Sequence, residues 1–203
     1  MTLWRGSNPL ILASQSRARQ TLLANAGLAF EAIAADIDER SIQQSSNLSA
    51  PGDIALLLAR EKALWVSSQK RGHYVIGADQ TLALDNRLFN KPKDRGQALE
   101  QLRTLAGRRH ELHSAVAVAH DGTIAFAHVA VADMTMRPLN DTEIATYLDE
   151  AGDAVAMSSV GAYQLEGPGV HLFEQIDGDH FTILGLPLLP LLGFLRGQRL
   201  LAV

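Results

Sequence analysis

Leu10-Ile11-Leu12-Ala13-Ser14-Gln15-Ser16-Arg17-Ala18-Arg19 is the stretch that decides the fold. Its four apolar residues read as a short buried strand. Ser16 then suits the cap of a helix over 16–26, with Gly27 as its stop. Strand, loop, helix is an α/β opening, and the following segments continue the alternation. Residues 30–37 read as a strand, and the Ser/Gln-rich stretch 41–51 as a loop. Pro51 starts a helix over 51–69, because proline suits a first helical turn. Residues 74–84 form a strand followed by a turn at Asp85-Asn86, and 94–105 a helix ended by Gly107.

Further on, hairpins dominate. Two strands flank Asp121-Gly122, a strong hairpin signal. Residues 129–136 alternate like a half-exposed strand. Asn140 caps a helix, with Glu143 completing a capping-box pattern. Residues 170–176 and 181–184 flank Asp177-Gly178 as a second expected hairpin, and Pro187 opens a last apolar helix. The sum is a mixed sheet with helices on its faces, in an α/β or α+β domain. Pattern alone does not choose the topology.

Composition narrows the function. The 203 residues include no cysteine, which excludes a disulfide scaffold, thiol catalysis and Cys-based metal sites. Eighteen Lys+Arg against 22 Asp+Glu leave a formal charge of −4, the wrong sign for a sequence-independent nucleic-acid binder. No basic region followed by a long apolar run marks a signal peptide at the start. The apolar stretch 181–195 is broken by Gly185, Pro187, Pro190 and Gly193 and falls short of the ~20 residues a membrane span needs. The expectation is a soluble cytoplasmic protein without a membrane or nucleic-acid partner.

Several residue groups could carry chemistry. The helix start at Ser14, Ser16, Arg17 and Arg19 combines free N–H groups with hydroxyls and guanidiniums suited to phosphate oxygens. Read by itself, it is more often a plain serine cap. Asp36-Ile37-Asp38-Glu39 could hold Mg²⁺ or form a solvated turn. Lys62 lies in an apolar helical stripe with Ala55, Leu58 and Val66, where a lysine either snorkels to water or serves a site. Asp79 follows the apolar run Val75-Ile76-Gly77-Ala78 in a chain that continues extended, an odd place for a carboxylate without a task. Asn90-Lys91-Pro92-Lys93 is a fixed loop carrying cations. Residues 161–169 form a glycine-rich loop where backbone can approach a ligand. The histidines make no H-E-x-x-H, and His110 and His113 should face opposite sides of one strand. Together these groups suit a polyphosphate with a divalent cation.

In this order the segments resemble the Maf family of nucleotide pyrophosphatases, related in fold to the inosine triphosphatases. The resemblance runs from Leu10-Ile11-Leu12-Ala13-Ser14-Gln15-Ser16 through Asp38-Glu39, Ala59-Arg60-Glu61-Lys62-Ala63, Gly77-Ala78-Asp79 and Lys91-Pro92-Lys93-Asp94. It closes on Gly161-Ala162-Tyr163, Glu166-Gly167 and Leu184-Gly185-Leu186-Pro187. It implies one two-lobed domain over 1–203, with a central twisted mixed sheet, helices on its faces and a substrate cleft. It also implies hydrolysis of a nucleoside triphosphate to the monophosphate and pyrophosphate, as house-cleaning of nucleotide pools.

Carried over residue by residue, Ser14, Ser16, Arg17 and Arg19 become phosphate contacts, and Asp79, Glu39, Lys62 and Lys91 the catalytic set. Asp79 resembles the family's proton acceptor. Mg²⁺ or Mn²⁺ is expected on Asp79 and Glu39. The family often has Pro-Arg-Arg where this chain has Arg17-Ala18-Arg19. Three positions bear on the base. The branch acting on dTTP and UTP carries Arg, Thr and Gln there; the branch acting on 7-methyl-GTP carries an aromatic, Gln and Glu. This chain has Ala18, Gln80 and Glu166, matching the second branch at two positions. Two other readings stand beside this one: a non-catalytic nucleotide-binding regulator of cell division, and a nucleotide-sugar transferase using Asp36-Ile37-Asp38. A homodimer is the expectation from the general frequency of oligomers.

Overall fold

The structure is a computed structural model and describes residues 3–85 and 87–203. Its elements run β1 (Leu10–Leu12), α1 (Arg17–Asn25), β2 (Phe30–Ala32), α2 (Glu39–Ser45), α3 (Pro51–Gln69), β3 (Tyr74–Leu84), β4 (Arg87–Phe89) and α4 (Arg95–Leu105). After them come β5 (Arg109–His120), β6 (Thr123–Met136), α5 (Asp141–Ala151), α6 (Asp153–Ser158), β7 (Phe173–Asp177), α7 (His180–Ile183) and α8 (Leu188–Gly197). The strands pair in the order β2-β1-β3-β5-β6-β7, with β4 on β3. Contacts β1–β2 and β1–β3 are parallel, while β3–β4 and β6–β7 are antiparallel, so the sheet is mixed. That is the α/β architecture expected.

The chain divides into two compact units. The first holds the chain up to Gln80 with Ser114–Ala130 and Leu184–Val203. Here β1 is buried at every residue, as suits a central parallel strand covered on both sides. Helix α3 presents Ala55, Ala59 and Ala63, four residues apart and hence on one face, to Ala115, Ala117 and Ala119 of β5. Small residues on both partners let the helix axis come close to the sheet. Gly77 brings it closer still: a Cβ there would stand 2.1 Å from the Ala59 carbonyl oxygen and 2.7 Å from the Ala63 nitrogen.

The second unit comprises Thr81–His113 and Val131–Ile183. Its core sets Ala98, Leu102 and Leu105 of α4 and Ile144, Tyr147 and Leu148 of α5 against Leu82, Leu84, Leu112, Met134 and Met136. Asp94 caps α4, and the full Asn140–Glu143 capping box starts α5. His110 faces this core, 2.8 Å from the Tyr163 hydroxyl, whereas His113 meets Glu111 at 2.7 Å, so the two histidines do sit on opposite faces.

Three expectations need correction. The strand expected over 30–37 ends at Ala32: its partner β1 ends at Leu12, and the last bond between them is from Ile33 N to the Leu12 carbonyl at 3.0 Å. The loop over 41–51 begins inside a helix: the Asp38 carboxylate accepts from Ser41 N at 3.0 Å and starts α2. The second hairpin does not form. Residues 168–172 make a 3₁₀ turn, and after β7 the Asp179 carboxylate accepts from Phe181 N and Thr182 N, each at 3.0 Å, folding 180–183 into a helical turn. The strand expected from 129 is the later part of the single long β6. Of the expected Asp85-Asn86 turn, Asn86 lies outside the described residues.

His110 is 1% exposed, and burial pulls its pKa down to about 4. The unfolded chain protonates this residue near 6.5 and the folded chain does not. Its contribution to stability is therefore complete above pH 6.5 and falls as pH drops from there to about 4, by on the order of 3 kcal/mol. Urea unfolding between pH 7 and 4 should show this loss, and His110→Gln should flatten it. An unchanged slope in the variant would contradict the assignment.

Candidate active site

The site begins where β1 ends. Ser14 is buried, and its Oγ accepts from Ser16 N at 3.2 Å and from Arg19 Nη1 at 3.3 Å. Ser16 caps α1, its Oγ accepting from Arg19 N at 3.5 Å. The Arg19 guanidinium also donates to the Ala78 carbonyl on β3 at 2.9 Å and, through Nε, to the Gly185 carbonyl at 2.7 Å. A side chain that could have waved in solvent is thus pinned by three acceptors. Gly185 holds a φ of 86°, in the left-handed region that glycine tolerates best. A Cβ there would lie 3.3 Å from both Nε and Nη2 of Arg19. Arg17 is exposed and Ala18 half-buried in the first turn of α1.

Next to this cradle stands a charged triad. Lys62 Nζ lies 2.6 Å from Asp79 Oδ1 and 2.7 Å from Glu39 Oε1. The side chains of Lys62 and Asp79 are only 11% and 12% exposed, whereas Glu39, in the first turn of α2, is 52% exposed. Lys62 therefore does not snorkel away: it runs from the buried face of α3 to a carboxylate inside a strand. Burial pushes the Asp79 pKa up, against the pull of Lys62 and Arg19 toward the ionised form. Burial likewise lowers the Arg19 pKa, opposed by Asp79 and Glu39. Gln80, on the opposite face of β3, donates from Nε2 to Ser114 Oγ at 2.8 Å.

The first unit thus gathers Ser14, Ser16, Arg19, Glu39, Lys62, Asp79 and Gln80. Lys91 and Glu166 are exposed residues of the second unit, Lys91 beyond β4 and Glu166 just before the 3₁₀ turn 168–172. Asp38 serves as the cap of α2, which gives one carboxylate of the D-x-D segment a structural task. Two participants escaped sequence reasoning. Gly185 was visible only as part of Leu184-Gly185-Leu186-Pro187, a turn signal without a partner attached. Ser114 gives no signal in sequence at all.

Donor chemistry permits a cation here. Two carboxylates already converge on one ammonium, the pattern by which Mg²⁺ is held when substrate phosphates complete its shell. Among the described residues no cluster of three His, Asp or Glu side chains forms a metal cage of its own. No described helix is long and apolar enough to cross a membrane.

A sequence profile described as Maf-like protein matches residues 9–198. A nucleoside triphosphate pyrophosphatase of Rhodopseudomonas palustris (strain HaA2) is 69% identical over 202 residues, covering 100% of both chains. One of Bradyrhizobium diazoefficiens is 70% identical over 203 residues, again with 100% of both covered. A 7-methyl-GTP pyrophosphatase of Brucella abortus biovar 1 is 50% identical over 192 residues, 94% of this chain and 96% of its own. Among solved structures, a HAM1 protein from Coxiella burnetii aligns with a TM-score of 0.41 at 16% identity, covering 63% of this chain and 72% of its own.

The electrostatics can be read directly. Carbon-13 titration of the Asp79 carboxyl should give a midpoint above the ordinary ~3.9. Lys62→Met should raise it further, since the ammonium favours the ionised form. A midpoint below the ordinary value, or a fall in the variant, would contradict the balance described.

Proposed function

The chain belongs to the Maf-like family, and on that premise we propose that it hydrolyses a nucleoside triphosphate to the monophosphate and pyrophosphate. The observation that carries this reading is the buried Lys62–Asp79 pair, with Glu39, standing beside the Ser14–Ser16–Arg19 cradle. A buried ion pair is a weak source of stability, because desolvation offsets most of the attraction. Its presence at the mouth of an anion-binding helix start is better explained by chemistry.

Each residue then has a task. N–H groups at the α1 start, the Ser14 and Ser16 hydroxyls and the Arg19 guanidinium bind phosphate oxygens. Arg17, exposed at the first helical position, adds a second positive charge. Asp79 accepts a proton from the attacking water, and the burial that raises its pKa makes it the stronger base. Lys62 orients the Asp79 carboxylate and neutralises charge that grows on the leaving pyrophosphate. Asp79 and Glu39 would hold Mg²⁺ or Mn²⁺, which when bound screens the phosphates and polarises the bond to be broken. Lys91 takes the charge-neutralising role that the sequence pattern assigns it.

For the base we favour a modified purine of the 7-methyl-GTP kind. Gln80 and Glu166 fit that branch, and a glutamate can accept from a guanine N1–H and its amino group. The Brucella relative carries that name at 50% identity. Ala18 leaves room where an aromatic residue would stand. The protein would act in the cytoplasm on free nucleotides, as a homodimer.

The test is a panel of ordinary and methylated nucleoside triphosphates with Mg²⁺ or Mn²⁺, with pyrophosphate and orthophosphate detected separately. Pyrophosphate release, fastest from 7-methyl-GTP and abolished by chelation, is expected. Preference for dTTP and UTP would overturn the base assignment alone. Tight binding without pyrophosphate release would favour the regulator reading.

Asp79→Asn should lower turnover at least ~10²-fold, the scale of a lost general base. Near-normal turnover would remove Asp79 from that role. Lys91→Ala should act mainly on kcat if the ammonium stabilises the transition state; a change confined to KM would make it a simple binding residue.

A further inference from the structure

Two glutamines of α4 reach the loop that carries Lys91. Gln97 and Gln101 stand four residues apart, so both side chains leave the helix on one face. Gln97 Oε1 accepts from Lys93 N at 3.1 Å. Gln101 Nε2 donates to the Asn90 carbonyl at 2.8 Å. These two contacts bracket Lys91 and the buried Pro92. Gln101 reaches further, because its Oε1 accepts from Gly161 N at 3.1 Å. A carbonyl can only accept and a backbone N–H can only donate, so a single orientation of the amide serves both partners.

The second partner belongs to a fixed corner. Gly161 holds a φ of 78° and Ala162 one of 62°, two successive left-handed residues, the second without the freedom of glycine. A Cβ on Gly161 would stand 2.6 Å from Leu82 Cδ1 and 2.8 Å from Tyr163 Cε1. The Ala162 carbonyl accepts from the Tyr147 hydroxyl at 3.2 Å, and the Tyr163 hydroxyl meets His110 Nε2 at 2.8 Å. Gly161, Ala162 and Tyr163 are all buried. Lys91, by contrast, is exposed on the loop between β4 and α4. All of these residues belong to the second unit. An ammonium that neutralises charge in a transition state acts only from the right place, and a misplacement of about 1 Å can cost about 10²-fold in rate. We propose that Gln101 is a positioning residue for catalysis: its amide ties the backbone beside Lys91 to the Gly161–Tyr163 corner and so sets where the ammonium stands. This rests on the pyrophosphatase reading, in which Lys91 neutralises charge, and adds a residue that neither the sequence motifs nor the names of the relatives point to.

The test compares Gln101→Met, which removes both polar contacts at similar length, with Gln101→Glu, which keeps the acceptor for Gly161 N and loses the donor to the Asn90 carbonyl. Each is made in the unaltered chain and in Lys91→Ala. For each protein, kcat and KM for pyrophosphate release from 7-methyl-GTP and from UTP are measured with Mg²⁺, and thermal unfolding is followed in parallel. In the unaltered chain both changes should lower kcat about tenfold, the worth of one polar contact, and move KM by less than about twofold. In Lys91→Ala they should cost less than about twofold, because residues that act through one group are not additive. The backbone nitrogen-15 order parameter at Lys91 should fall in both variants from about 0.85 toward about 0.6, while that at Tyr163 stays in the rigid range. An unchanged kcat would overturn the proposal. So would an equal loss with and without the Lys91 side chain, which is what a merely structural role produces. Normal kcat in Lys91→Ala would overturn it too, since Gln101 would then have nothing to position. If the unaltered protein releases no pyrophosphate from either nucleotide, the functional reading fails, and the order parameter still decides whether Gln101 holds the loop.

Discussion

The close seat of α3 on the sheet is the constraint on which the site depends. Any side chain at position 77 would overlap the backbone of α3 at Ala59 and Ala63. The alanines of the helix and of β5 extend the same close approach along its length. Lys62 precedes Ala63 in that helix, so the packing that seats the backbone also sets how far the ammonium must reach to Asp79. Interiors this densely packed do not deform gradually.

The chemistry follows from that enclosure. In water, a carboxylate between Lys62 and Arg19 would be held well on the ionised side. Inside this unit the cost of burying charge outweighs both cations, and Asp79 is pushed the other way. The formal charge of −4 says nothing of this. Net charge excludes a broad basic surface but is blind to a few cations converging on one helix start.

Much of this was legible in the sequence where local chemistry governs. Ser16 and Asn140 cap the helices they were expected to cap, since a cap needs only its own next three residues. Lys62 and Asp79 stood out because each is a charged residue in an apolar repeat, a conflict that only a tertiary partner resolves. What was not legible depends on distant partners. The end of β2 is set by the length of β1. The segment 181–184 is too short for its period to separate strand from helix, and the Asp179 cap decided it. Ser114 and Gly185 look like ordinary fold residues until Gln80 and Arg19 are placed against them. Asp38, in a run that read as either a Mg²⁺ site or a solvated turn, is the cap of α2.

The bond from Arg19 to the Gly185 carbonyl joins residues 166 positions apart. On a ribosome, where chains grow at about 5–20 residues per second, that separation corresponds to roughly 10–30 s of synthesis. Once β3 has been made, β1, α1 and β3 can already be in place while the arginine still lacks one of its three acceptors. The Ser14–Ser16–Arg19 arrangement is therefore among the last parts of the first unit to be completed. A growing chain displays the serines and the arginine long before the Gly185 carbonyl can hold the arginine in place.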